Sequence, residues 1–128
     1  MELLLDTHAF IWFALDDPQL PENTNDHIKN PETKCFISVA SLWEIAIKLD
    51  IGKLKLKTSF SGLLQLIVAN NIDILPIKEE HFLQLLKLGR YHKDPFDRII
   101  IAQALTEHFT IATKDENFKH YKVKILWN

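Results

Sequence analysis

Tyr91-His92-Lys93-Asp94-Pro95-Phe96-Asp97-Arg98 runs without a break into Ile99-Ile100-Ile101-Ala102-Gln103-Ala104-Leu105, and the reading of this stretch organises the rest of the chain. Asp94 before Pro95 pairs an N-cap with a proline at the first helical position, where the missing N–H is no loss. A helix therefore starts at Pro95, and Asp97 falls in its first turn. The run after Arg98 is apolar on nearly every side, so the helix is expected to be buried, with an acid at its mouth. An acid there also suits the positive end of the helix dipole. Asp97 alone needs no further role, and the question is whether other acids converge on it.

Toward the N-terminus, Leu3-Leu4-Leu5 is a short apolar run ended by Asp6, the pattern of a central parallel strand, and 7–15 carries apolar residues at helical spacing. Phe10, Ile11, Trp12, Phe13 and Ala14 exceed what one core face needs before Asp16-Asp17-Pro18 stops the helix, and surplus aromatic area of this kind often marks an interface. The polar segment 21–30 reads as a short surface helix ending before Pro31. Cys35-Phe36-Ile37-Ser38-Val39 is a second apolar strand, and 40–49 continues as a helix apolar almost all round, with Glu44 in its second turn. Gly52 ends that helix, and the strict alternation Lys53-Leu54-Lys55-Leu56-Lys57 suits an exposed extended segment or edge strand with solvated lysines. A helix over 59–70, a strand over 72–77 closed by Pro76, and a helix over 78–88 ended by Gly89 complete the middle of the chain.

Toward the C-terminus, Phe109-Thr110-Ile111-Ala112-Thr113 is a strand, Asp115-Glu116-Asn117-Phe118 begins a short helix, and Val123-Lys124-Ile125-Leu126 supplies a last strand. Strands separated by helices over the whole length imply an α/β sandwich with a mainly parallel sheet. No linker, repeat or low-complexity tract divides it, so residues 1–128 are expected to form one domain.

A formal net charge of −2 over 128 residues excludes a protein that grips nucleic acid by bulk positive charge, and leaves room only for a local basic strip. Cys35 is the only cysteine, which rules out an internal disulfide and a thiolate metal site and fits a small buried thiol in a reducing compartment. Met1-Glu2-Leu3-Leu4-Leu5-Asp6 is too short and acidic for a signal peptide, and no apolar run approaches the roughly eighteen residues of a membrane span. A soluble, cytoplasmic protein is expected.

In an open α/β sheet, ligands collect where the strands' carboxyl ends meet the following helices. Asp6 ends the first strand, Asp115 lies just past the strand 109–113, Asp97 opens a helix packed on the same sheet, and Glu44 could reach back to the same edge. Each has a plainer reading: Asp6 and Asp115 as N-caps, Glu44 as the partner of Lys48 one turn later. Should the acids converge, their repulsion would raise at least one pKa unless a cation lies among them. Oxygen ligands without cysteine suit Mg2+ or Mn2+, ions that activate water and neutralise charge on a phosphate, as phosphodiester hydrolysis requires. No glycine-rich phosphate loop suggests nucleotide binding instead.

Taken together, Leu3-Leu4-Leu5-Asp6-Thr7-His8, Ser41-Leu42-Trp43-Glu44-Ile45, His92 through Arg98 with Ile101-Ala102-Gln103-Ala104, and Thr113-Lys114-Asp115-Glu116 resemble the successive motifs of PIN-domain ribonucleases. Within these the chain is most similar to the VapC-type toxins of bacterial type II toxin–antitoxin pairs, and the likeness runs from about residue 2 to residue 126. The resemblance implies a three-layer α/β/α sandwich and RNA cleavage with Mg2+ or Mn2+. It also implies a homodimer, silenced by a cognate antitoxin that covers the active-site groove. It assigns Asp6, Glu44, Asp97 and Asp115 as the metal-binding acids and Thr113 as an accessory residue that orients a ligand or water. Asp94 is an extra acid beside Asp97, and its place before Pro95 makes it the cap and Asp97 the ligand. His92 and Arg98 are read as solvated or salt-bridged in preference to phosphate contacts, and His8 as a packed or surface histidine.

A catalytically inactive PIN-like binding module, acting through Phe10, Trp12 and Phe13, is the alternative from another class. A phospho-acceptor signalling domain would need an acidic pair before its acceptor strand and a strand-end lysine, and neither is arranged that way.

Overall fold

The computed structural model describes all 128 residues, Met1–Asn128. Its centre is β1 (Glu2–Leu5), in which Leu3, Leu4 and Leu5 are fully buried. β2 (Lys34–Ser38) and β4 (Thr110–Ala112) pair with it on either side, β3 (Ile72–Leu75) lies outside β2, and β5 (Ile125–Leu126) outside β4. Every pairing is parallel, and Leu4 stands opposite both Phe36 and Ile111. A strand buried on both faces has no need to alternate, which is why Leu3-Leu4-Leu5 is a continuous apolar run.

The two faces of the pleat are covered by different helices. Leu3 and Leu5 face a core formed with α1 (Thr7–Ala14), α2 (Glu22–Lys29), α3 (Val39–Asp50) and α4 (Phe60–Ala69), through Phe10, Ile28, Ile45 and Leu63. Leu4 faces the other way, onto Ile100, Ile101 and Ala104 of α6 (Pro95–Glu107) and Phe118 of a 3-10 turn, Glu116–His120. α5 (Glu79–Lys87) packs along α6. The result is the three-layer α/β/α sandwich with a parallel sheet that the alternation of elements implied. No helix is long and apolar enough to cross a membrane.

Of the two readings open for Lys53 to Lys57, the exposed segment with solvated lysines holds and the edge strand does not: it takes no place in the sheet, and Leu54 and Leu56 pack against the core. Alternation records a two-sided environment, and a loop lying on a core provides one as well as a strand does. The aromatic surplus of α1 is also mostly structural, since Phe10 is fully buried and Trp12 and Phe13 pack partly against the same core.

Candidate active site

The strand order reverses direction between β1 and β4, and the crevice beyond the carboxyl ends of these two strands is where such sheets hold ligands. Asp6 leaves β1 and Thr113 leaves β4 at that point. Asp6 is 5% exposed; its Oδ1 accepts from the Ala9 N–H at 2.8 Å and caps α1, and its Oδ2 accepts from the Thr113 hydroxyl at 2.6 Å. Burial raises the Asp6 pKa, and these two bonds work against the rise. Thr113 Oγ1 in turn accepts from the Asp115 N–H at 3.0 Å, while Asp115 caps the 3-10 turn by accepting from the Asn117 N–H at 2.9 Å.

Glu44 is also 5% exposed, on the face of α3 turned to α1. Its Oε1 accepts from the Thr7 hydroxyl at 2.7 Å, and its Oε2 pairs with Lys48 Nζ at 2.9 Å. Thr7 Oγ1 lies 2.9 Å from Ser41 Oγ as well. A threonine hydroxyl has one hydrogen to give, so the chain of donation runs Ser41 to Thr7 to Glu44. The plainer readings, caps at Asp6 and Asp115 and an ion pair at Glu44, all hold, and they leave lone pairs on each carboxylate free.

Asp97 differs. Asp94 caps α6 by accepting from the Phe96 and Asp97 N–H groups at 2.9 and 3.0 Å, as proline at the next position led us to expect. The Asp97 carboxyl is pushed up to about 8, first by burial and then by the charges of Asp94, Asp6, Glu44 and Asp115. All these acids are thus within electrostatic reach of one carboxyl. It has no hydrogen-bonded partner to offset them, and His92 Nε2 stands 3.7 Å from its Oδ2. No three acidic, histidine or cysteine side chains are grouped tightly enough to form a ready metal cage. The donor set is nonetheless carboxylate oxygen without thiolate, the kind hard divalent cations prefer.

Aromatic and basic groups wall the crevice. A cleft of about 330 Å³ is lined by Asp6, His8, Trp12, Lys114 and Asp115. Lys114 Nζ sits 5.8 Å over the Trp12 ring, and the exposed His8 ring is 5.7 Å from Trp12. Beside α6, Trp43 is 63% exposed and meets Phe96 edge-on at 5.5 Å.

A sequence profile described as the PIN domain matches residues 3–124. The chain is a PIN domain. Among solved structures, this PIN domain is similar to VapBC2 from Rickettsia felis, bound to a DNA fragment from its promoter, with a TM-score of 0.76 at 18% identity over 100% of both chains. VapBC-1 from nontypeable Haemophilus influenzae gives a TM-score of 0.69 at 17% identity, over 98% of this chain and 97% of that one. VapBC-5 from Mycobacterium tuberculosis, a member of the VapBC family of toxin–antitoxin systems, gives 0.65 at 18% identity, over 99% and 98%. At such identities the likeness is one of fold. A search of curated protein sequences finds no match.

Thr7, Ser41 and Tyr121 were missed as site residues in the sequence. Thr7 and Ser41 stand inside the motif stretches, yet hydroxyl donors that act across 37 and 34 positions leave no periodic signal. Arg98 is half-exposed and makes no salt bridge; it donates to the Gly89 carbonyl and to the Tyr121 hydroxyl.

Proposed function

We propose that this PIN domain is a Mg2+- or Mn2+-dependent endoribonuclease and the toxin component of a type II toxin–antitoxin pair. The observation that carries the reading is Asp97, a carboxyl pushed up to about 8 among four other acids at the switch point of the sheet. A carboxyl that keeps its proton near neutral pH because it is buried and then because other acids surround it is a natural place for a divalent cation. Asp6, Glu44, Asp97 and Asp115 would hold it. When bound, such an ion lowers the pKa of water and offsets the charge growing on a phosphate.

The chain's own residues supply the rest. Thr113 fixes Asp6, and Ser41 with Thr7 fixes Glu44, so that each carboxylate is held in one orientation. Lys114 and Trp12 offer a positive charge and an aromatic surface beside the acids, suited to an unpaired stretch of RNA. Hydrolysis by water, with no part for the ribose 2′-hydroxyl, would leave a 5′-phosphate and a 3′-hydroxyl. The VapBC neighbours support an antitoxin protein as partner, and a homodimer belongs to the same reading; sedimentation of the purified chain tests the latter.

Asp6→Asn and Asp97→Asn test the proposal. Each is expected to lower Mg2+-dependent RNA cleavage by at least about 100-fold, beyond what the loss of an outer-shell partner costs, with the fold retained by circular dichroism. Undiminished cleavage by either folded variant would overturn it.

One observation favours the inactive module: both Glu44 oxygens already have partners, and no three acids form a cage. Calorimetric titration with Mn2+ separates the two, since the nuclease binds the ion and the inactive module does not.

A further inference from the structure

Arg98, Tyr121 and His92 form a chain of polar contacts that ends at Asp97. Arg98 Nη1 donates to the Gly89 carbonyl at 2.8 Å and to the Tyr121 hydroxyl at 3.3 Å. The Tyr121 hydroxyl lies 2.9 Å from His92 Nδ1. His92 Nε2, at the other side of the ring, is buried without a hydrogen bond and faces Asp97 Oδ2 at 3.7 Å. Phe118 and Tyr121 hold the imidazole in place, with ring centroids 6.0 and 5.5 Å away. Gly89 belongs to the same assembly, because a Cβ there would come within 2.5 Å of the Tyr91 ring that packs against Tyr121.

Donor accounting fixes the directions. A guanidinium only donates, so the Tyr121 oxygen accepts from Arg98 and has one hydrogen of its own to place. The acceptor in reach is His92 Nδ1, which puts the imidazole proton on Nε2. The opposite tautomer would strand the phenolic hydrogen. A buried N–H with no partner calls for one, and Asp97 Oδ2 is less than an ångström beyond the usual N–H···O distance of about 2.9 Å, within reach of a small side-chain rotation.

We infer that His92 is a positioning residue for Asp97: held as the Nε2–H tautomer by Tyr121 and Arg98, it donates to Asp97 Oδ2 and leaves Oδ1 free for a divalent cation. The cation belongs to the nuclease reading; the tautomer does not depend on it. This device differs from a histidine ligand, since the ring would act on the carboxyl of Asp97 and not on the ion.

Two measurements on the full chain test this. Long-range 1H–15N spectra of the metal-free protein report which His92 nitrogen carries the proton, and calorimetry reports Mn2+ affinity. Wild type is expected to show the Nε2–H form, and Tyr121→Phe, which keeps the ring packing, a mixture of tautomers with Mn2+ bound about tenfold more weakly. His92→Leu is expected to lose about as much, and His92→Gln, whose amide can replace the Nε2–H donor, to recover most of it. An Nδ1–H wild type, or wild-type Mn2+ affinity in both Tyr121→Phe and His92→Leu, overturns the inference. A wild type that binds no Mn2+ overturns the nuclease reading and with it the role toward a cation, while the spectra still decide the hydrogen-bond chain.

Discussion

The two sides of the crevice hold their acids in different ways. On the β1 and α3 side, Asp6 and Glu44 are almost wholly buried, yet each oxygen has a named partner: the Ala9 N–H and the Thr113 hydroxyl for one, the Thr7 hydroxyl and Lys48 for the other. At the mouth of α6, Asp97 is less buried, has no such partner, and feels the charge of every other acid in the crevice. Compensation, more than depth, separates them. The first side has every oxygen hydrogen-bonded, although burial still raises the Asp6 pKa, and the second has no such bonds and keeps an unmet demand for positive charge.

Breaking the comparison at Asp97 should have the largest effect, and on two quantities in opposite directions. Asp97→Asn should abolish cleavage by the proposed nuclease, and it should also stabilise the metal-free protein. The folded-state pKa of Asp97 is raised to about 8 from an ordinary 3.8. Below pH ~4 both folded and unfolded chains carry the proton and the group costs nothing; between pH ~4 and ~8 the unfolded chain ionises first, so stability falls as pH rises, and above ~8 the loss is complete. Partial access to solvent reduces the ~1.36 kcal/mol per pH unit that linkage allows, leaving about 2–4 kcal/mol. Denaturant unfolding of the metal-free protein at pH 5 and pH 8 should show this loss in full in wild type and a smaller one in Asp97→Asn, which keeps the contribution of Asp6, whose pKa burial also raises. Equal pH dependence in the two proteins would mean that Asp97 is not the strained acid.

The hydrogen-bonded side should respond with the opposite sign. Thr113→Val keeps the shape of the side chain and removes the hydroxyl that Asp6 Oδ2 accepts from at 2.6 Å. A buried carboxylate oxygen left without its donor costs about 1–3 kcal/mol, and the Asp115 N–H loses its acceptor as well. Thermal unfolding of the metal-free variant at neutral pH should therefore show destabilisation, in contrast to Asp97→Asn. A neutral result would place the rigidity of Asp6 in its cap of α1 alone.

How much of this was legible depended on whether the determinant was local. Asp94-Pro95 announced the mouth of α6 because capping and proline act within one turn, and Leu3-Leu4-Leu5 announced the central strand because burial on both faces shows in consecutive residues. The pattern over 53–57 left an exposed segment and an edge strand equally open, since Leu54 and Leu56 satisfy an alternation with core contacts and without a sheet partner. The acids were visible as strand-end and helix-start residues, whereas the hydroxyls and the tyrosine that orient them were not. Thr7 meets Glu44, Thr113 meets Asp6 and Tyr121 meets His92 across 37, 107 and 29 positions, and a single hydrogen bond between distant elements imprints no period on either. Thr113 was flagged through the family resemblance, not through any property of its own neighbourhood in sequence.

The smallest effect should fall on Lys48, and it sharpens what compensation means on the hydrogen-bonded side. Lys48 is 39% exposed and pairs with Glu44 at the i, i+4 spacing, a geometry worth only about 0.3–0.5 kcal/mol when the lysine is solvated. Thr7, by contrast, is buried and donates to the other oxygen of the same carboxylate. Lys48→Ala should therefore lower stability by less than about 0.5 kcal/mol, and Thr7→Val by about 1–3 kcal/mol. A larger loss from Lys48→Ala than from Thr7→Val in paired denaturant titrations would show that Glu44 is held by charge and not by the hydroxyl, and would bring it closer to the unpartnered Asp97, with only a solvated side chain to offset its charge in the metal-free chain.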